Sequence, residues 1–254
     1  GDHRDLHLSI RRQRQMCIRD RETVSADNLK AANKKQNKIA NYRDMFLAWQ
    51  RQRVTTYCGY ILGFPDDTPA SILQDIETIK RELPLDILEF FCLTPLPGSA
   101  DHLVLYKRGA PLEPDLNLYD LEHVCTTHPR MTKTEWQDIY RQAWDSYYAL
   151  DHLETLMRRA AAFDRNPKRI MEIALEFYGC FKFERVHPLQ GGFLRRKVRT
   201  ERRPQLPLES PWVFYPRRLG EIWTTYSGLL AYAWRVWRLY RRVKNCLLYT
   251  SDAA

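Results

Sequence analysis

The chain has 254 residues, 44% of them apolar and 28% charged, with 40 Lys and Arg against 31 Asp and Glu for a formal charge of +9. This composition excludes a wholly disordered chain, and the length accommodates one large domain or two small ones with a sizeable core. The six cysteines (Cys17, Cys58, Cys92, Cys125, Cys180 and Cys246) lie at least 33 residues apart, which excludes zinc ribbons, fingers, a disulfide scaffold and any short-spaced iron–sulfur cradle inside the chain.

The first residues lack the basic region and apolar run of a signal peptide. Arg11 to Arg21 reads RRQRQMCIRDR, with no period and no turn logic, and residues 246–254 read CLLYTSDAA. Residues 1–21 and 246–254 resemble translated sequencing-library adapter, so the natural protein is expected to run from about Glu22 to about Asn245 and to be a fragment. Asp27 caps a predicted helix to about Asn37. A second helix, from about Ile39 to Gln52, carries Tyr42, Met45, Phe46 and Trp49 at spacings of three and four. Val54–Leu62, rich in β-branched and aromatic residues, reads as a strand, and Gly63–Thr68 as a turn. Asp67 or Thr68 caps the next helix, with Pro69 just inside it and Ile72, Leu73, Ile76 and Ile79 on its buried face. Asp86–Leu93 is almost continuously apolar, as a parallel strand covered on both faces should be. The unit is strand–helix–strand, a right-handed parallel crossover. A loop-like stretch then runs to about Met131. Thr132 with Glu135 forms a capping box and opens a helix to about Tyr148. Further helices are predicted at 150–162 and 167–181. Gly191-Gly192 breaks the pattern, 195–217 reads as extended, and a last helix runs from about Leu219 to Val243.

The charge is uneven. Residues 182–244 hold 15 basic and four acidic side chains, a net of +11, so the rest of the chain nets −2. This tail has three readings. Arg195–Arg199 with Arg202 and Arg203 suits the phosphates of a nucleic acid, although no recognised RNA module is visible. The last helix mixes Trp223, Tyr226, Leu229, Leu230, Tyr232, Trp234, Trp237 and Tyr240 with Arg235, Arg238, Arg241 and Arg242, the composition of an interfacial helix on an anionic membrane, so 195–244 is a candidate for peripheral membrane contact. The third reading is a helix packed on another part of a larger parent. The last helix's uninterrupted apolar run, Gly228–Trp234, falls far short of the ~20 residues of a span. Free thiols fit a reducing, cytoplasmic setting, with at most a peripheral membrane location.

One stretch carries a specific signal. Gly59-Tyr-Ile61-Leu-Gly63-Phe-Pro-Asp-Asp-Thr68 resembles the GxIxGxPGET stretch of radical SAM enzymes, and Leu93-Thr-Pro-Leu-Pro-Gly-Ser99 resembles the TPxPGT stretch that ends the next barrel strand of that superfamily. Glu22-Thr23 with Asp27-Asn28-Leu29 is similar to an earlier G-(I/L)-E-(S/T)…NL segment. Leu83–Phe91, Gly98–His102 and His187–Gly192 resemble a subgroup that carries a cobalamin-binding domain. Asp66 stands where the family usually has Gly. The resemblance implies an α/β fold: residues 22–130 as the late strand–helix–strand part of a partial (β/α) barrel, and 131–245 as a helical, basic extension. It also implies contact with S-adenosylmethionine through Glu22, Gly59, Ile61 and Gly63, with Thr94 and Pro95 at the next strand end as further candidates. The residue types suit that role. Barrels place ligands at the C-terminal ends of their strands, glycines let backbone approach a flat ring, and Ile61 can press on adenine. The competing reading is a generic βαβ unit whose glycines serve packing alone.

Such enzymes hold a 4Fe–4S cluster on a CxxxCxxC loop, which this chain lacks. Cys58 and Cys92 read as small core residues. The implied parent makes a 5′-deoxyadenosyl radical and abstracts hydrogen from, or methylates, an unactivated carbon, with cobalamin in the methyltransferase version. Its substrate, a small molecule or a lipid, is not readable, and this chain alone is expected to be inactive. The alternatives are a radical SAM enzyme of RNA modification and a non-enzymatic basic helical module that binds a lipid surface or RNA. Loss of the strands that flank 54–62 is expected to leave one sheet edge unpaired, apolar and prone to aggregation. His123, Cys125 and His128 (HVCTTH) have a spacing that would suit zinc, but a substrate-facing loop fits them better; His102 after Asp101 is a candidate acid–base group or a solvated loop histidine. No metal ligand is assigned.

Overall fold

A parallel strand–helix–strand unit frames the first of two units into which the chain divides after Arg165. The computed structural model describes residues 16–20, 39–190, 197–202 and 205–251. Glu22, the predicted helix at 27–37 and Gly191-Gly192 lie outside them. The first unit comprises β1 (Met16–Asp20), α1 (Ile39–Arg51), β2 (Thr55–Leu62), α2 (Pro69–Glu82), β3 (Ile87–Cys92), α3 (Ala100–Lys107), α4 (Lys133–Tyr147) and α5 (Leu150–Ala162). The fold is thus mixed α/β and mostly helical, and the described strands form one parallel sheet in the order β1-β2-β3.

Strand alternation sorts the sheet into two faces. Cys58, Tyr60 and Leu62 of β2 lie beside Leu88, Phe90 and Cys92 of β3, all buried on the face that α4 covers. α2 is seated by Ile72, Ile76 and Ile79, whereas Leu73 is only half-buried. α4 brings an aromatic layer. Trp144 meets Phe90 edge-on at 5.4 Å and stacks on Tyr148 at 5.6 Å, while the Tyr147 and Tyr148 hydroxyls donate to the carbonyls of Leu85 (3.2 Å) and Leu88 (3.1 Å). Both tyrosines are buried with their hydroxyls bonded, which avoids the cost of an orphaned hydroxyl. Phe46 and Tyr42 bury one side of α1, but Trp49, expected on that side, is largely exposed. Gln50 takes the inward place instead and donates to the Pro84 carbonyl at 2.6 Å.

Two further differences from expectation concern the sheet. β2 is paired on both sides, in register with β1 (Ile18 opposite Tyr57) and β3 (Tyr57 opposite Ile87), so among the described strands the sheet edges fall on β1 and β3 and not on β2. A strand with free donors and acceptors on one side templates any extended neighbour, and Met16–Asp20 fills that place. On the far side of β3, Cys92 N donates to the Leu121 carbonyl at 2.7 Å, so the loop covers part of that edge. The stretch from Thr94 to Met131 is also less irregular than its sequence suggests. Ser99 caps α3, Asp115 caps a single 3-10 turn at Leu116–Leu118, and Leu112 bridges Thr126.

One polar lock ties the N-terminal ends of the strands to the end of the unit. Asp86, fully buried, takes a bidentate pair from Arg165 (2.7 and 2.9 Å) and also accepts from Thr56 N (2.8 Å) and Thr56 Oγ1 (3.1 Å). A desolvated carboxylate holds its charge only with such a set of partners. Thus α4 and α5 belong with the sheet, and the first unit closes at Arg165.

The second unit has helices and no strand among its described residues. Asn166 caps α6 (Pro167–Gly179) by accepting from Lys168 N at 2.9 Å, with Pro167 in the first turn. A π-turn at Cys180–Glu184 follows and ends on Arg185 in the left-handed region, φ +55°. The last helix, α7 (Pro211–Ser251), begins eight residues before the predicted start. Pro211 is pre-set for a first turn, the Ser210 carbonyl accepts from Val213 N and Phe214 N (both 3.0 Å), and Pro216 is carried inside the helix. α7 packs on α6 through Tyr232, Val236, Leu239 and Val243.

Candidate functional site

The most informative local geometry is the end of β2. Gly63 sits at φ +103°, where only glycine is unstrained, and the Trp136 indole fills the place a Cβ would take while donating to the Leu62 carbonyl at 3.3 Å. Asp67 closes the turn by accepting from Gly63 N (2.8 Å) and Phe64 N (2.9 Å). Thr68 then starts α2 with a reciprocal capping box, its side chain accepting from Ser71 N and Ser71 accepting from Thr68 N. Asp66 keeps this turn without glycine's freedom; it is exposed and pairs with Arg130 at 3.3 Å. The second strand ends alongside: Leu93 N donates to the Leu62 carbonyl at 2.8 Å, so Gly63 and Thr94 emerge at the same, C-terminal end of adjacent parallel strands.

The site residues named from sequence fall as follows. Gly59 is buried on the sheet face opposite α4, and a Cβ there would lie 2.9 Å from the Phe91 ring. Ile61 and Phe91, cross-strand partners on that face, are half-buried and offer apolar area. Thr94 donates to the Cys92 carbonyl at 2.9 Å, and Pro95 is buried. Gly59, Ile61, Gly63, Thr94 and Pro95 therefore share the β2–β3 pair and its C-terminal end, while Glu22 lies outside the described residues.

One group on the same face was missed. Glu89, directly across from Gly59, is fully buried and accepts a hydrogen bond from the Tyr57 hydroxyl. Burial raises its carboxyl to about 7, so near neutral pH it can hold or release a proton beside Ile61 and Phe91. The signal in the sequence was a single acid inside Ile87-Leu-Glu-Phe-Phe-Cys92, an otherwise apolar run.

The HVCTTH segment does not assemble as ligands. His128 uses both ring nitrogens, Nε2 donating to the Phe64 carbonyl (2.8 Å) and Nδ1 accepting from Arg130 N (3.0 Å), so it braces the 63–68 turn. Cys125 donates its thiol to the Leu118 carbonyl at 3.0 Å, and burial pushes its pKa up to about 11. His123 instead joins Asp120 and Glu122, whose ligand atoms all lie within 4.8 Å of one another. Asp120 already accepts from Glu122 N, His123 N and His123 Nδ1, which makes this cluster a self-contained turn. His102 lies in the first turn of α3, edge-on to Tyr119 at 6.1 Å.

The chemistry of the donors does not fit an iron–sulfur cluster. Cys58, Cys92, Cys125 and Cys180 are buried, and burial drives the Cys92 thiol far above its usual range, whereas a cluster needs accessible thiolates. The surface of Ile61 and Phe91 does suit one side of a flat ring, with Phe91 already lying over Gly59.

In the second unit, a cleft of about 620 Å³ is lined by Lys182, Arg185, Lys197, Arg218 and Glu221 among others. The described part of the basic patch is engaged internally. Lys197 pairs with Glu221 (2.8 Å), Arg199 donates to the Glu209 carbonyl (2.7 Å), and Arg202 donates to the Pro207 carbonyl (2.7 Å). Arg195, Arg196 and Arg203 lie outside the described residues. No described helix is long and apolar enough to cross a membrane. Compared with known proteins, the chain matches no family model and no curated protein.

Proposed function

We propose that the chain is the C-terminal part of a radical SAM enzyme of the cobalamin-binding subgroup, and that β2, α2 and β3 are late elements of its partial (β/α) barrel. The observation that carries this reading is the joint placement of two motifs. The Gly59-x-Ile61-x-Gly63 strand with its Asp67–Thr68 capped turn, and the Leu93–Ser99 segment, lie on adjacent parallel strands and end at the same edge of the sheet. A barrel places its ligands at that edge. In this reading Ile61 and Phe91 face the adenosine of S-adenosylmethionine, and the parent acts on an unactivated carbon, with a cobalamin-dependent methyl transfer as its most specific form. The 4Fe–4S cluster is then held by residues of the parent outside this chain.

The decisive experiment is an independent genomic read across residues 1–21 and through the coding sequence upstream of them. A CxxxCxxC followed by strand–helix units is the expected result; an upstream region without one overturns the proposal. The isolated chain supplies a second check. Reconstituted with iron and sulfide, it should show no absorbance near ~400 nm above background, and a stoichiometric cluster would contradict the account given of its thiols.

A further inference from the structure

α7 carries two opposed stripes. Tyr232, Val236, Leu239 and Val243 recur at spacings of four and three and form the buried seam. About half a turn away, at about 100° per residue, Trp212, Leu219, Trp223, Leu230, Trp234 and Trp237 recur at spacings of seven, four, seven, four and three. All six are exposed, from 45% at Trp237 to 88% at Trp212. At 1.5 Å per residue this second stripe is about 38 Å long. A row of exposed apolar side chains of that length marks a surface that meets something other than water.

The charges beside it say what. α7 contains seven Lys and Arg and one acid, Glu221. At the start of the helix the cations are satisfied: Arg217 forms a two-bond pair with Glu209 (2.6 and 2.7 Å) and Arg218 meets Glu221 (3.1 Å). Farther along, Arg235, Arg238 and Arg241 meet no carboxylate among the described residues. Arg238 and Arg241 lie over the Trp234 and Trp237 rings, at 4.7 and 5.4 Å. A second copy packed in parallel would set these arginines against their own kind, and the helix lacks the continuous apolar length to span a bilayer.

We propose that the Trp212–Trp237 face of α7 docks flat on an anionic phospholipid bilayer. The indoles and leucines enter the headgroup–acyl boundary and Arg235, Arg238 and Arg241 meet the lipid phosphates. This inference rests on the second unit alone, so it stands or falls separately from the radical SAM reading.

The test is flotation of the full chain with vesicles of phosphatidylcholine alone and of phosphatidylcholine mixed with phosphatidylglycerol. The chain should float with the mixed vesicles only, its tryptophan emission should shift to the blue, and added salt should weaken the binding. Neutralising the cations together (Arg235→Gln, Arg238→Gln and Arg241→Gln) should lower partitioning roughly a hundredfold. The pair Trp223→Ser and Trp234→Ser should lower it by about tenfold or more while leaving helical circular dichroism unchanged. Binding to neither vesicle overturns the proposal, as does binding indifferent to both sets of variants. So does single-stranded RNA binding without vesicle binding, or a solution dimer that the tryptophan variants dissolve.

Discussion

The two units use the same side chains to opposite ends. In the first, Trp136 and Trp144 are fully buried, and the Trp136 indole N–H reaches the Leu62 carbonyl; in the second, Trp212, Trp223, Trp234 and Trp237 face outward. Ion pairs divide the same way. Asp86 and Arg165 are sealed from water and joined by two hydrogen bonds, whereas Glu209 and Arg217 meet at the surface. Residue type therefore does not decide a ring's role. Its phase relative to the packed seam does, and in α7 the tryptophans fall on the wrong phase for a core.

The sharpest way to break this contrast is at the ion pairs. Asp86→Ala should cost about 3–5 kcal/mol in urea unfolding, because it strands a buried guanidinium. Glu209→Ala should leave the urea midpoint of the first unit where it is. Equal effects would mean that burial does not distinguish the two pairs. Next comes the tryptophan pair: Trp144→Ala should cost about 3–5 kcal/mol, and Trp234→Ala should stay within about 0.5 kcal/mol, by the same denaturation curves.

Two buried titrating groups within the first unit give a smaller, pH-resolved effect. His152, buried with Nδ1 donating to the Tyr147 carbonyl (2.7 Å), is held neutral by burial down to about 4. Its contribution is present above pH ~6.5 and is lost as pH falls towards ~4, because only the unfolded chain takes up that proton easily. Glu89 behaves oppositely. With its folded value raised to about 7, its contribution is full below pH ~4.3 and is lost as pH rises through ~7. The two slopes oppose each other between those limits. Melting temperatures from pH 4 to pH 8 should show His152→Gln flattening the acid limb and Glu89→Gln removing the fall from pH ~4.3 towards ~7. A His152→Gln profile that keeps the wild-type acid limb would refute the assignment. The smallest effect is expected from Tyr57→Phe, which removes the donor to Glu89 and should cost about 1 kcal/mol.

Local chemistry made much of the first unit legible. The β2–turn–α2–β3 order and the capping box at Thr132 stand where the residue types put them, and of the two residues open as the cap of α2 it is Thr68 that serves. Long-range partnership was not legible. Nothing in the spacing of Met16–Asp20 says that it lies beside β2, and nothing in Gln50 says that it turns inward while Trp49 turns out. Glu89 was hidden because a lone acid in an apolar run changes the hydropathy pattern little, although it changes the chemistry of that sheet face greatly. The early start of α7 was masked by Pro216, which reads as a stop although the helix runs through it from Pro211.

The indole seated over Gly63 has a consequence for how the chain acquires its shape. β2, α2 and β3 are contiguous, yet the turn at 63–68 is completed only by Trp136 and His128, which come some seventy residues later. During synthesis the strand pair leaves the ribosome with the hollow over Gly63 open and the Tyr60–Phe90 face bare, and it must wait for Lys133–Tyr147 to arrive. A nascent chain arrested before α4 should thus be cut readily by protease at the 63–68 turn, and one arrested after α5 should resist, so the order of emergence becomes a timer set by a single tryptophan.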